Sequence, residues 1–147
     1  MPTKVALTDV IIELHVPNFN KVMDFYGKIG FEQVWKNPPK RGKRSGYLVI
    51  KRQNSILCFY CGNEEINNHP CFKRFPKTTP RGYGVEIAIY ISDQPLELFY
   101  QRLIDKLGKD CIVEPLKIKP WGSKDFRVVD PFGFYLCFRE AGNILRK

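Results

Sequence analysis

One order of elements is written twice in this chain, about 75 residues apart, and such self-similarity marks an internal duplication. Residues 10–16 suit a β strand. The run Pro17-Asn18-Phe19-Asn20 then leads into a helix expected over 21–28, where Val22, Phe25 and Tyr26 fall at i, i+3 and i+4. Asn18 or Asn20 is the expected cap, and Gly27 and Gly30 bracket the end. Later, residues 85–91 read as a strand and Ser92-Asp93-Gln94-Pro95 opens a helix over 96–107, which Gly108 stops. Ser92 or Asp93 should cap that helix, with Pro95 in its first turn.

The remainders of the two halves also match. Strands are expected at 47–51 and 55–60, parted by Arg52-Gln53-Asn54, and at 126–129 and 134–138, parted by Asp130-Pro131-Phe132-Gly133. The segment Ser55-Ile56-Leu57-Cys58-Phe59-Tyr60 parallels Phe134-Tyr135-Leu136-Cys137-Phe138-Arg139. In the second turn Pro131 presets φ, Asp130 can bond its own backbone and Gly133 tolerates positive φ. Each half is therefore strand–helix–strand–strand–strand. The expected class is α+β: a first βαβββ module over 1–62, a basic linker over 63–82 and a second module over 83–147. A chain of 147 residues can hold the pair as one structural domain.

Composition excludes several function classes. No apolar run approaches the roughly 20 residues of a membrane span, and the start Met-Pro-Thr-Lys-Val lacks the apolar stretch of a secretory signal, so a cytoplasmic protein with no membrane partner is expected. Five cysteines form an odd set. Cys58, Cys111 and Cys137 lie in apolar, strand-like surroundings and read as reduced, buried thiols. The net charge of +9 is concentrated in residues 36–44 and 73–81, both proline-containing and read as loops. A nucleic-acid interface could use them, but no recognition helix or RNA-binding aromatic signature accompanies the charge, so solvated loops are expected. The spacing Cys58, Cys61, His69, Cys71 is loosely zinc-like, yet residues three apart on a strand face opposite ways. The chain has no nucleophile elbow, phosphate loop or dinucleotide fingerprint, and only two histidines for acid–base work.

Val16-Pro17-Asn18 leading to Asp24-Phe25-Tyr26, then Ile29-Gly30-Phe31, resembles the vicinal-oxygen-chelate superfamily of glyoxalases, extradiol dioxygenases and bleomycin-resistance proteins. Pro120-Trp121-Gly122, Phe126-Arg127 and Asp130-Pro131-Phe132-Gly133 are similar to the bleomycin-resistance branch in particular. The resemblance spans nearly the whole chain. It implies tandem βαβββ modules forming a curved mixed sheet around a cleft, and a homodimer whose chains often complete each other's clefts.

Enzymes of the superfamily hold a divalent metal through His and Glu at four strand positions. Matching the motifs puts those positions at Ile11, Cys58, Glu86 and Cys137, a set unlike that pattern; a register shift would bring in Glu13 or His15. No metal, no cofactor and no catalytic residue is therefore assigned. In a metal-free cleft, affinity comes from shape, stacking and a few polar anchors. The resemblance implies that Trp121 flanks a ligand, as a plate held by Pro120 and Gly122, with packing at a module edge as the alternative. Trp35, Tyr47, Tyr60, Tyr90 and Tyr135 are expected near it, several on the ligand-facing parity of their strands. Glu13, Glu86 and His15 are polar candidates, His15 equally suiting a structural role. A cationic drug such as bleomycin calls for an acidic surface, whereas this basic chain suits a neutral or anionic small-molecule ligand. The reading favours a metal-independent binder over a metal-dependent lyase or dioxygenase, and over a basic module for nucleic acid.

Overall fold

A computed structural model describes residues 9–38, 46–61 and 69–140. The chain divides into two compact units, Met1–Thr79 and Pro80–Lys147. The first contains β1 (Glu13–His15), α1 (Asn20–Tyr26), a 3-10 turn (Gly27–Ile29), β2 (Glu32–Asn37), β3 (Tyr47–Arg52) and β4 (Ser55–Tyr60). A 3-10 turn at Phe72–Arg74 follows. The second unit contains β5 (Glu86–Ile91), α2 (Leu96–Leu107), β6 (Ile112–Ile118), β7 (Lys124–Val129) and β8 (Tyr135–Glu140). Both sheets have the same plan, with order β1-β4-β3-β2 in one and β5-β8-β7-β6 in the other. In each, the first strand pairs parallel with the last, and the other pairings are antiparallel. The expected pair of α+β βαβββ modules is what forms.

Each sheet buries one face under its helix. In the first unit Val22, Phe25 and Tyr26 of α1 are buried, and the fully enclosed Tyr26 ring meets Phe31 at 5.5 Å and Phe59 at 5.4 Å. In the second, Leu96, Phe99 and Leu103 of α2 are buried, with Phe99 against Phe138 at 5.0 Å and Tyr100 against Phe126 at 4.8 Å. Strand alternation then sends the intervening residues to the opposite, helix-distal face.

Several local expectations give way to packing. Among the described residues neither α-helix starts with a side-chain cap: Phe19 occupies the first, where burial of its ring outweighs a polar cap from Asn18 or Asn20. Pro95 is itself the cap of α2, its carbonyl accepting from the N–H groups of Leu98 and Phe99, so Ser92 and Asp93 are not used as side-chain caps. The first strand is shorter than residues 10–16 because its pairing with β4 runs only from Glu13↔Cys58 to His15↔Tyr60, leaving Val10 and Ile11 exposed. Lys36 and Asn37 belong to β2, paired with Leu48 and Tyr47, rather than to a loop; residues 39–45 lie outside the described residues, as do 63–68 of the expected linker. Cys111 is only half-buried, because it falls in the turn before β6 rather than on a strand, with its thiol directed to the Gly108 carbonyl at 3.7 Å.

The Asp130 turn forms as expected. Asp130 Oδ1 accepts from the N–H of Phe132 at 2.9 Å and of Phe134 at 2.8 Å, and Gly133 adopts φ 99°. Gly82 lies against this turn, and a Cβ there would come within 2.2 Å of the Gly133 carbonyl oxygen, so only glycine fits.

Candidate functional site

The helix-distal face of the first sheet is aromatic. Register places Glu13 beside Cys58, Cys58 beside Val49 and Val49 beside Trp35, while His15, Tyr60, Tyr47 and Asn37 form the next row. The Tyr47 hydroxyl donates to Glu13 Oε1 at 2.6 Å and also bonds with the Cys58 thiol. Burial, then these two neighbours, push the Tyr47 hydroxyl far above its ordinary value, so it stays protonated as a donor. Burial likewise raises the Cys58 thiol, although the Tyr47 bond opposes the shift. Trp35 lies 6.2 Å from Tyr47 and remains 48% exposed; the buried His15 packs edge-on against Tyr60 at 5.3 Å. Five sequence-predicted residues (Glu13, His15, Trp35, Tyr47 and Tyr60) thus share one surface.

The equivalent face of the second sheet is ionic. Arg127 Nε donates to Glu86 Oε1 at 2.6 Å, and one terminal nitrogen reaches both Glu114 Oε2 and Asp125 Oδ1 at 3.0 Å. Lys119 Nζ bridges the same two acids, at 2.6 Å to Glu114 and 3.4 Å to Asp125. Burial alone would lower Arg127, but Glu86 and its other anionic neighbours outweigh it and hold the guanidinium charged. Lys119 draws Glu114 below the ordinary carboxylate range and is itself raised by that bond. Asp125 is fully buried, and its Oδ2 has no hydrogen-bond partner among the described residues.

Tyr135 and Tyr90 flank this network on the same face, in register with Glu86 and Arg139. Burial raises Tyr135, with Glu114 the next contributor. Arg139 Nε donates to Cys137 Sγ at 3.3 Å; burial raises that thiol and the arginine opposes it. Arg127, Asp125, Glu114, Lys119 and Arg139 were not among the candidate site residues read from the sequence. The signal was available in Lys124–Val129: Phe126 and Val128 mark the core parity, which sends Asp125 and Arg127 to the face of Glu86.

Trp121 lies off the strands of the second sheet, in the turn joining β6 to β7. The Lys119 N–H donates to the Ser123 carbonyl at 2.9 Å, the Gly122 N–H donates to the Lys119 carbonyl at 2.8 Å, and Gly122 takes φ 91°. The indole is 67% exposed. Such a corner fixes where the ring leaves the backbone.

No family model and no curated protein matches the sequence. Solved structures do match. A bleomycin-binding protein complexed with bleomycin superposes with a TM-score of 0.61 at 17% identity, over 92% of this chain and 100% of that one. The chain has the vicinal-oxygen-chelate fold. A member of the glyoxalase/bleomycin resistance protein/dioxygenase superfamily from Sphaerobacter thermophilus gives a TM-score of 0.60 at 19% identity, over 91% of this chain and 98% of that one. A glyoxalase family protein from Enterococcus faecalis gives 0.62 at 21%, over 92% and 100%.

Metal-holding versions of the vicinal-oxygen-chelate fold need hard or borderline donors at four strand positions, and the residues here do not fit. Ile11 has no donor atom. Cys58 is bonded to Tyr47, Cys137 accepts from Arg139, and Glu86 carries the Arg127 guanidinium at 2.6 Å, where a second cation would be repelled. Among the described residues no three His, Cys, Asp or Glu side chains come together as a metal site. The zinc-like spacing fares no better: His69 Nδ1 accepts from the N–H groups of Cys71 and Phe72, and Cys71 Sγ accepts from Arg74.

Proposed function

We propose that the protein binds a small organic molecule without a metal, sequestering it as the resemblance to bleomycin-resistance proteins implies. The observation that carries this reading is the pairing of Arg127 with Glu86, which leaves a cation of the protein's own where a chelating enzyme would present a free carboxylate. The aromatic row of Trp35, Tyr47 and Tyr60 supports it by offering flat surfaces for stacking, worth about 0.5–1.5 kcal/mol per ring beyond area burial. Glu13 and His15 are the proposed polar contacts of the first unit; in the second, Tyr90, Tyr135 and Trp121 are the proposed aromatic contacts and Glu86 the polar one. The net charge of +9 favours a neutral or anionic ligand.

The protein works as a homodimer in this reading. Exposed apolar side chains on the edge strands β2 and β6 (Val34, Trp35, Val113 and Ile118) give a second copy something to cover. Five free cysteines suit a reducing, cytoplasmic setting. No helix among the described residues is long and apolar enough to cross a membrane. Elemental analysis of purified protein, followed by a ligand screen through tryptophan fluorescence, tests the function. About one transition metal per chain, lost in Glu86→Gln, would overturn it.

A further inference from the structure

The second sheet's helix-distal face carries four cations, Arg127, Arg139, Lys117 and Lys119, against three carboxylates, Glu86, Glu114 and Asp125. The carboxylates are spoken for by short contacts. Glu86 is held by Arg127, Glu114 by Arg127 and Lys119, and Asp125 Oδ1 by the same pair. Lys117 is exposed on the edge strand β6 and helps to lower Glu114. Arg139 is different. It sits on the inner strand β8, half-buried, between its register partners Tyr90 on β5 and Asp125 on β7. Its contacts are with a thiol and a phenol: Nε donates to Cys137 Sγ, and the side chain bonds with Tyr90. No carboxylate of the described residues forms an ion pair with it. A guanidinium has five N–H donors in a planar fork, and a thiol and a phenol satisfy few of them.

Resting on the proposed small-molecule reading, we infer that Arg139 is the anchor for an oxyanion group of the ligand, a carboxylate or sulfonate on an aromatic body. The fork matches two oxygens of such a group with parallel charge-assisted bonds. Tyr90 and Tyr135 stand on the same face at the neighbouring positions, so a ring attached to the acid would lie against a phenol. Arg127 cannot take this role while Glu86, Glu114 and Asp125 occupy it. Glu86, whose charge acts on Arg139, and Asp125, its register partner, are the groups that would oppose an anion, but Arg127 neutralises both and Lys119 adds to it at Asp125.

The test uses two probes that share a ring system and differ only by the acid: anilinonaphthalene sulfonate and the uncharged phenylnaphthylamine, each titrated by fluorescence at moderate salt. In Arg139→Gln the sulfonate should bind about tenfold or more weakly, in the range expected for losing a hydrogen bond to a charged group, while phenylnaphthylamine binds as before. Arg139→Lys, which keeps the charge and loses the fork, should fall between, and it supplies the reading if the glutamine variant unfolds. If the sulfonate binds both Arg139 variants as tightly as the parent, the anchor is overturned and the ligand face stands. Equal weakening of both probes makes Arg139 a packing residue and also overturns it. If neither probe binds the parent, the small-molecule reading fails and takes the anchor with it.

Discussion

Arg127→Met should be the most damaging single change on the ionic face. Arg127 contacts three carboxylates, but they do not suffer equally. The side chains of Glu86 and Glu114 are 34% and 39% exposed, so water can replace a lost guanidinium. Asp125 is fully buried and, among the described residues, would keep only Lys119, at 3.4 Å on Oδ1, with no partner on Oδ2. Breaking a buried pair by removing one partner costs about 3–5 kcal/mol because the other charge is stranded. The remaining lysine puts the expected loss near the lower end, about 3 kcal/mol. That is a large fraction of the roughly 5–15 kcal/mol by which a domain is stable.

Urea unfolding followed by far-ultraviolet circular dichroism at neutral pH measures the loss. The double variant Asp125→Asn/Arg127→Met identifies its source. Removing the stranded charge should recover about half of the deficit or more, since an unpaired amide costs less to bury than an unpaired carboxylate. Coupling of that sign is expected only for residues that share a network. If Arg127→Met costs less than about 1 kcal/mol, surface pairing is the better description. If the double variant is no more stable than the single one, the damage comes from lost packing and the electrostatic account is wrong.

Gly82→Ala should destabilise by about 1–3 kcal/mol or more in the same urea assay, because its Cβ would meet the Gly133 carbonyl oxygen at 2.2 Å and both are backbone. Trp121→Ala should weaken a bound aromatic ligand by roughly tenfold in a fluorescence titration and leave the unfolding midpoint unchanged, since the indole is exposed and Gly122 sets the corner; an unchanged affinity would return Trp121 to packing. Glu97 bonds Lys124 at 2.6 Å and its folded value lies below the ordinary carboxylate value, so its contribution is present at neutral pH and is lost as acid protonates it. Glu97→Gln should therefore flatten the acid side of the stability profile; an identical profile would show the pair to be inert.

The helix over Leu96–Leu107 and the strand over Ser55–Tyr60 have the limits read from sequence, because hard punctuation bounds them: Gly108 at φ 81° after the helix, and Gln53 at φ 51° in the turn before the strand. The edge strands were less legible. β2 is exposed along its whole length and shifts register between Gln33 and Trp35, and β6 shifts twice, so neither keeps the clean alternation that marks a strand buried on one side. The aromatic face was legible from parity alone, since Tyr47 and Tyr60 alternate with Leu48 and Phe59, which are fully buried. The ionic face was not. Asp125 and Lys119 look like surface residues in a list, and only mutual neutralisation lets both be buried.

Superimposing the two modules by register shows how far a duplicated unit can diverge while its fold persists. The cysteine next to the parallel strand is kept, as Cys58 beside Glu13 and Cys137 beside Ala88. Counting from that cysteine, Val49 in the first module answers to Arg127 in the second, Tyr47 to Asp125, and Tyr60 to Arg139. On the helix side the matching positions stay apolar: Phe59 answers to Phe138, Leu57 to Leu136, Leu48 to Phe126 and Ile50 to Val128. The asymmetry has a physical cause. The helix-facing positions build the core whatever the protein does, and exchanging them for charges would unfold the module. The helix-distal positions are less uniform: Val49, Cys58 and His15 are buried while Trp35 is half exposed, and this face became aromatic in the first module and charged in the second.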